Sequence, residues 1–282
     1  MKRILVTGAG GYIGAHVVPA LVRKGFDVVA VQRPGLAAHA SDPAVTWLEA
    51  DIFEPADVLD AAGRVDVLLH MAWEAGFVHN DPVHMLRLSD HYRFLDAAVA
   101  AGVRQVAVLG TMHEVGYHEG AIDEHTPTRP RSLYGVAKNA LREALQVRLA
   151  GADTVLQWLR CYYITGDDER SRSVFAKVVE AAREGKRTFP FNSGLNQYDF
   201  IDVDDLGAQI AAVVDQTEIT GIINCSSGEP VALKDRVERF IAEHGLDLEL
   251  EYGAFPDRPY DSPAVWGDAT KIRSVLAAEA AR

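Results

Sequence analysis

A short apolar run, Arg3-Ile-Leu-Val-Thr7, breaks into the glycine string Gly8-Ala-Gly-Gly-Tyr-Ile-Gly14, and apolar residues then recur at helical spacing from Ala15 to Arg23. That pattern reads as strand, tight turn and helix. Gly8, Gly11 and Gly14 let the backbone turn, approach a pyrophosphate closely and pack the helix on the strand, leaving phosphate at the positive helix N-terminus. A second strand, Asp27-Val-Val-Ala-Val31, begins soon after the helix, which is the context a dinucleotide-binding unit requires.

The end of that second strand is where an adenosine ribose is read, and an acidic residue there usually holds a free 2′-hydroxyl. Gln32 and Arg33 occupy these positions. A guanidinium can pair with a 2′-phosphate that a carboxylate would repel, so the expectation is NADP(H), with NAD(H) tolerated by Gln32.

Further strand-like runs at Val45 to Leu48, Val65 to His70, Gln105 to Leu109 and Val155 to Arg160 alternate with helical stretches such as Ser89 to Ala101 and Val136 to Leu149. The alternation predicts an α/β fold, a Rossmann-type doubly wound parallel sheet with helices on both faces. The 282 residues are enough for a sizeable core, divided between residues 1–160 and a smaller C-terminal substrate-binding lobe formed by 161–198 and 226–282. Segments around 199–225 return to the first domain. In the second half Val174 to Glu184, Asp202 to Gln216 and Val231 to His244 read as helices, Gly221 to Cys225 as a strand, and the tail from Tyr252 to Pro263 carries three prolines.

A formal net charge of −12 disfavours nucleic acid and anionic membranes as partners, so an anionic substrate must be met by local arginines. No apolar run reaches the length of a membrane span and the N-terminus enters the first strand directly, which predicts a cytoplasmic protein. Cys161 and Cys225 lack metal-ligand spacing and read as buried apolar side chains; no metal is expected.

Tyr134 and Lys138 lie four apart in Ser132-Leu-Tyr-Gly-Val-Ala-Lys138, on one face of a helix. A phenol beside an ammonium can move a proton, because the cation favours the phenolate. The spacing alone more often marks an amphipathic tyrosine next to a solvated lysine.

Taken in order, these motifs resemble the extended short-chain dehydrogenase/reductase family, the group of NAD(P)-dependent nucleotide-sugar epimerases, dehydratases and reductases. Thr7-Gly-x-x-Gly-x-x-Gly14, with Tyr12 and Ile13 inside it, is similar to the family's cofactor loop. Ala50-Asp51-Ile52 resembles its adenine-contacting turn, and His70-Met71-Ala72 the strand end beside the cofactor. Gly110-Thr-Met-His-Glu-Val-Gly116 resembles the serine/threonine loop, and Arg160 to Gly166 and Asp199 to Val203 the later segments. The resemblance implies that Thr111, Tyr134 and Lys138 serve as supporting hydroxyl, acid/base and cation. Lys138 then also binds the nicotinamide ribose.

Two departures narrow the chemistry. Dehydratases of the family carry an aspartate and a glutamate directly after the hydroxyl residue; this chain has Met112 and His113, so dehydration is not expected. His113 is a candidate to contact the sugar or donate a proton, against the plainer role of a packing residue. Glu114 stands at an apolar family position without explanation. The family's arginine before the Asp199 segment is replaced by Tyr198, so diphosphate neutralisation comes from elsewhere or the substrate differs; Arg258 and Arg172 are candidate replacements, against the plainer role of solvated surface charges. Tyr163 stands where related epimerases have a sugar-contacting asparagine, and Trp73 either walls the sugar site or packs the strand end.

Local segments around Trp73, Tyr92 to Leu95, Gly221 to Gly228 and Trp266 to Asp268 resemble reductases of nucleotide-linked 4-keto-6-deoxyhexoses. The implied activity is an NADPH-dependent 4-keto reductase with its proton from Tyr134, on a homodimer. An NAD-retaining epimerase and a non-catalytic dinucleotide sensor are the alternatives.

Overall fold

The computed structural model describes residues 1–35, 42–166, 173–257 and 261–281. Its first half alternates β1 (Arg3–Thr7), α1 (Gly14–Arg23), β2 (Asp27–Gln32), β3 (Val45–Glu49), α2 (Pro55–Ala62), β4 (Val67–His70), α3 (Val83–Leu86), α4 (Leu88–Ala100), β5 (Gln105–Thr111), β6 (Gly120–Ile122), α5 (Leu133–Arg148) and β7 (Val155–Cys161). The second half adds β8 (Tyr163–Thr165), α6 (Val174–Arg183), β9 (Thr188–Pro190), β10 (Gln197–Asp202), α7 (Val203–Val214), β11 (Gly221–Cys225), β12 (Pro230–Ala232), α8 (Leu233–Glu243), β13 (Glu249–Glu251), β14 (Ala264–Gly267) and α9 (Thr270–Ala280).

Seven strands form one sheet in the order β11-β7-β5-β4-β1-β2-β3, every neighbouring pair parallel. The expected doubly wound sheet is therefore present. Its strands are nearly continuous apolar runs because both faces are covered. Helices α1, α7 and α9 bury Val17, Leu21, Leu206, Ile210, Val213, Ile272 and Val275 on one face. On the other face α2, α4 and α5 contribute Val58, Phe94, Leu95, Leu141 and Leu145. Strand order reverses between β1 and β4, which opens a crevice at their C-terminal ends. The register of Thr7 opposite both Val31 and His70 brings the glycine loop, the β2 end and the β4 end to one rim.

A smaller sheet, β12-β10-β14-β6 with β8 beside β10, packs through Ile122, Tyr198 and Val265 on Met112, Val115 and Tyr162, the residues that follow β5 and β7. Helices α6 and α8 cover a separate cluster of Phe175, Val178, Phe191, Val237 and Phe240. Two segments cross the boundary read from the sequence. β6 leaves the N-terminal half to pair with β14, while α9 at the end of the chain packs on α7 and β11. Amphipathicity announces that a helix needs a partner without naming which sheet supplies it. Among the described residues, no helix is long and apolar enough to cross a membrane.

Candidate active site

The glycine loop forms a cradle. Gly8 has φ +73°, and a Cβ on it would stand 2.6 Å from the Ala72 backbone nitrogen; on Gly14 it would run into the carbonyl oxygens of Gly8 and Ala9. Gly11 N donates to Gly8 O at 3.0 Å, closing the turn. Helix α1 begins without a side-chain cap, so its first turn offers backbone donors and a positive dipole end to an anion. Ile13 packs on the core below it, and Tyr12 lies edge-on to His16 with ring centroids 5.9 Å apart. These features fit a pyrophosphate.

Thr7 ties the cradle to β4: its carbonyl accepts from Met71 N at 3.1 Å and its hydroxyl from Ala72 N at 3.3 Å. Met71 is buried in the core, and Ile52 is buried at the far rim beside an Asp51 side chain that accepts from Phe53 N at 3.0 Å. The β2 end differs from its sequence reading. Arg33 is not a free cation, since its Nη1 donates to Glu74 Oε1 at 3.0 Å. The partner comes from the loop after β4, which periodicity within β2 does not reveal.

Thr111, Tyr134 and Lys138 do meet. Thr111 ends β5 and caps a 3-10 turn over Met112–Glu114, its hydroxyl accepting from His113 N at 3.3 Å while its own N–H donates to Glu114 Oε1 at 2.7 Å. Ser132 caps α5 by accepting from Gly135 N at 3.2 Å, so Tyr134 lies in the first helical turn and Lys138 one turn later. A Cβ on Gly135 would strike the His113 carbonyl, so glycine is what lets α5 approach the 3-10 turn. The Tyr134 and Thr111 side chains are hydrogen-bonded.

Burial pushes the Tyr134 hydroxyl well above its ordinary range, with the Thr111 bond pulling the other way. Lys138 is not what moves it. Lys138 Nζ donates to Leu109 O at 2.6 Å and stands 4.0 Å from the Trp73 ring centroid, and burial pushes its pKa down to about 7 against the opposing charge of Glu114. Burial therefore favours the protonated phenol, opposite in direction to the effect the helical spacing of Tyr134 and Lys138 suggests.

Histidines surround this group, and sequence reasoning singled out only one of them. His79 and His113 lie with ring centroids 4.4 Å apart, and both face Tyr134 at 5.5 and 6.1 Å. Trp73 stacks on His91 at 4.3 Å and donates through Nε1 to His84 Nδ1 at 3.0 Å, so it packs the strand end beside Lys138. Burial lowers the pKa of His113 to about 4, so it is neutral near pH 7. Scattered single histidines at 70, 79, 84 and 91 carry no spacing signal, and the fold alone converges them.

Glu114 is now explained. Buried completely, it accepts from Trp158 Nε1 at 2.8 Å and pairs with Arg160 Nη2 at 3.3 Å, with Arg142 Nε at 3.8 Å.

The residues expected to read the substrate do not all face the crevice. Met112 and Tyr198 are buried in the small lobe's core with Val115, Ile122 and Val265. Tyr198 accepts from Asn196 Nδ2 at 3.2 Å and packs on Tyr163 with centroids 4.3 Å apart. Its apolar burial, where a family arginine was replaced, makes it a packing residue. Arg172 and Arg258 lie outside the described residues.

The family model for the NAD dependent epimerase/dehydratase family matches residues 4–226. The chain is similar to dTDP-6-deoxy-L-talose 4-dehydrogenase (NAD(+)) of Aggregatibacter actinomycetemcomitans, 45% identical over 94% of this chain and 98% of that protein. Among solved structures it resembles a UDP-N-acetylglucosamine 4-epimerase from Methanobrevibacter ruminantium, in complex with UDP-N-acetylmuramic acid, at TM-score 0.84 and 19% identity, covering 97% of this chain and 91% of that one. A Thermus thermophilus UDP-glucose 4-epimerase in complex with NAD superposes at TM-score 0.79 with 22% identity, over 97% and 92% of the two chains. The structures establish the shared fold; the matching model, over most of the chain, goes further: this protein belongs to the NAD dependent epimerase/dehydratase family.

Proposed function

We propose that this chain is a nicotinamide-dependent oxidoreductase that interconverts a ketone and an alcohol at C4 of a nucleotide-linked 6-deoxyhexose. The observation that carries the reading is the Tyr134–Thr111 hydroxyl pair, with Lys138 one helical turn away, on the same rim as the glycine cradle. The name of the 45% identical relative supports the sugar class. When bound, the dinucleotide supplies or accepts a hydride.

In the reducing direction the ketone oxygen gains negative charge as its carbon accepts the hydride, and Tyr134 gives that oxygen its proton. Burial keeps the phenol protonated, which supports reduction at neutral pH. The Thr111 hydroxyl donates a second hydrogen bond to the same oxygen, and its position is held by Glu114. Lys138 orients the cofactor ribose from its place between Leu109 O and Trp73. His113, neutral through burial, lines the sugar side and does not replace the carboxylic acid of a dehydratase. A homodimer through α4 and α5 belongs to the same reading, supported by the exposed Val147 on α5 beside Tyr92, Ala140 and Ala144.

The test is NADH and NADPH oxidation by the purified protein against dTDP-, GDP-, CDP- and UDP-linked 4-keto-6-deoxyhexoses. Stoichiometric loss of reduced cofactor with appearance of the alcohol is expected. Tightly retained NAD with epimerised sugar and no net cofactor oxidation would overturn it in favour of an epimerase.

A further inference from the structure

Trp73 follows the end of β4, and its neighbours fix its indole from three elements. The Nε1–H donates to His84 Nδ1 at 3.0 Å, and His84 Nε2 lies 3.0 Å from Val78 O. A carbonyl only accepts, so Nε2 carries the His84 proton and Nδ1 is left as the acceptor that the indole N–H requires. His91 of α4 stacks on the ring with centroids 4.3 Å apart, and its Nδ1 lies 3.0 Å from Nε2 of His70 in β4.

Lys138 Nζ stands 4.0 Å from the centroid of that ring. An ammonium carries three N–H donors, and among the described residues Leu109 O, at 2.6 Å, is its one hydrogen-bond acceptor. A buried cation with one acceptor sheds its proton unless something else favours the charge. The titratable groups around it supply little. Tyr134, one turn earlier on α5 and edge-on to the same indole at 6.3 Å, is favoured in its protonated form by burial. Burial also pushes the Cys161 thiol at the end of β7 up to about 12, and holds His70 and His91 below their ordinary range. Glu114, in the turn after β5, is already paired with Arg160 and Arg142. The indole face is what remains to stabilise the charge, and in a desolvated site such a contact is stronger than at a surface.

We propose that Trp73 is a positioning residue for Lys138, presenting a π face held by His84 and His91 that keeps the ammonium charged and fixes its direction. Trp73 acts through Lys138 and needs no contact with the sugar. With one N–H spent on Leu109 O and the indole face beside it, the ammonium keeps a donor for the dinucleotide ribose. The inference deepens the oxidoreductase reading and rests on it for the role of Lys138.

NMR of the full-length protein labelled with 13C-lysine tests it without turnover, Lys138→Met assigning the signal. In wild type the ring current of the indole should place the Lys138 ε-methylene protons upfield of those of the other lysines. Trp73→Leu should remove that displacement and lower the titration midpoint of Lys138 by about one pH unit, the size of a desolvated cation–π contact. Trp73→Phe keeps a ring face without the N–H, so it should keep the displacement and give an intermediate midpoint. The alkaline limb of turnover on a 4-keto sugar should move down in pH with the lysine, a shift that loss of packing alone does not produce.

A wild-type Lys138 signal without the upfield displacement, or a midpoint in Trp73→Leu equal to or above that of wild type, overturns the inference and leaves the oxidoreductase reading standing. Should Trp73→Leu not fold, retention of the displacement in Trp73→Phe supports the inference and its loss overturns it. Absence of turnover on every 4-keto sugar, with the lysine titrating as stated, overturns the oxidoreductase reading and leaves the contact between Trp73 and Lys138 standing.

Discussion

Glu114 accepts the backbone N–H of Thr111 at 2.7 Å, and so joins a buried cluster of Arg160, Arg142 and Trp158 to the hydroxyl that faces Tyr134. A carboxylate placed among apolar side chains survives because two guanidinium groups and two N–H donors satisfy it. The Thr111 end of β5 is thereby anchored to side chains of the neighbouring β7.

Removing that anchor should cost stability before it costs chemistry. Glu114→Ala leaves Arg160 buried without its partner and should lower the unfolding free energy by about 3–5 kcal/mol, read by urea denaturation. Glu114→Gln keeps an acceptor for Thr111 N–H and should fall between wild type and alanine. Equal stability of all three proteins would mean that the cluster carries no net energy.

Tyr134→Phe removes only the hydroxyl. Turnover on a 4-keto sugar should fall by about 100-fold or more, the usual contribution of a positioned acid, while dinucleotide affinity changes less than about twofold. Retained turnover would mean that a different group supplies the proton.

Gly135→Ala puts a methyl group where α5 meets the His113 carbonyl. Backbone cannot yield as a flexible side chain does, so Tyr134 must move away from Thr111. An overpacking cost of about 1–3 kcal/mol is expected in thermal unfolding, together with a loss of turnover larger than the loss of cofactor binding. An alanine variant with wild-type melting and turnover would show that the approach is looser than described.

Acid should destabilise this protein earlier than its carboxylates alone require. His113 is held to about 4 and His91 to about 3, and His70 is also well below its ordinary value, all mainly by burial. Between about pH 6.5 and 4 the unfolded chain takes up protons that the folded one refuses, so stability falls as pH falls, by about 1.4 kcal/mol per pH unit for each such histidine. Unfolding free energies at pH 7 and 5 check this, and His113→Gln should flatten the slope by one histidine's share. A flat profile over that interval would contradict it.

Much of the rim was legible before the fold was known. Gly8, Gly11 and Gly14 are confined to glycine by φ and by close backbone approach, and both constraints leave a pattern in adjacent residues. Tyr134 and Lys138 share a helix face, which is also local. What escaped was contact between distant segments. Arg33 looked free because Glu74 lies 41 residues away. Glu114 looked misplaced because Arg160 is 46 residues on, in β7. Tyr198 looked like a substrate contact because nothing near it in the chain shows that Met112 and Val265 enclose it.

The sequence by itself determined the sheet, the cradle and the identity of the Thr111, Tyr134 and Lys138 set, because turn geometry and helical spacing act over a few residues. Only the tertiary structure decided their charge states and neighbours. Burial raises the Tyr134 hydroxyl and lowers Lys138, histidines gather from β4, α3, α4, the loop between β4 and α3 and the turn after β5, and Arg33 is tied by a carboxylate from another loop. Desolvation and ion pairing depend on what lies around a group in space, and chain order does not record it.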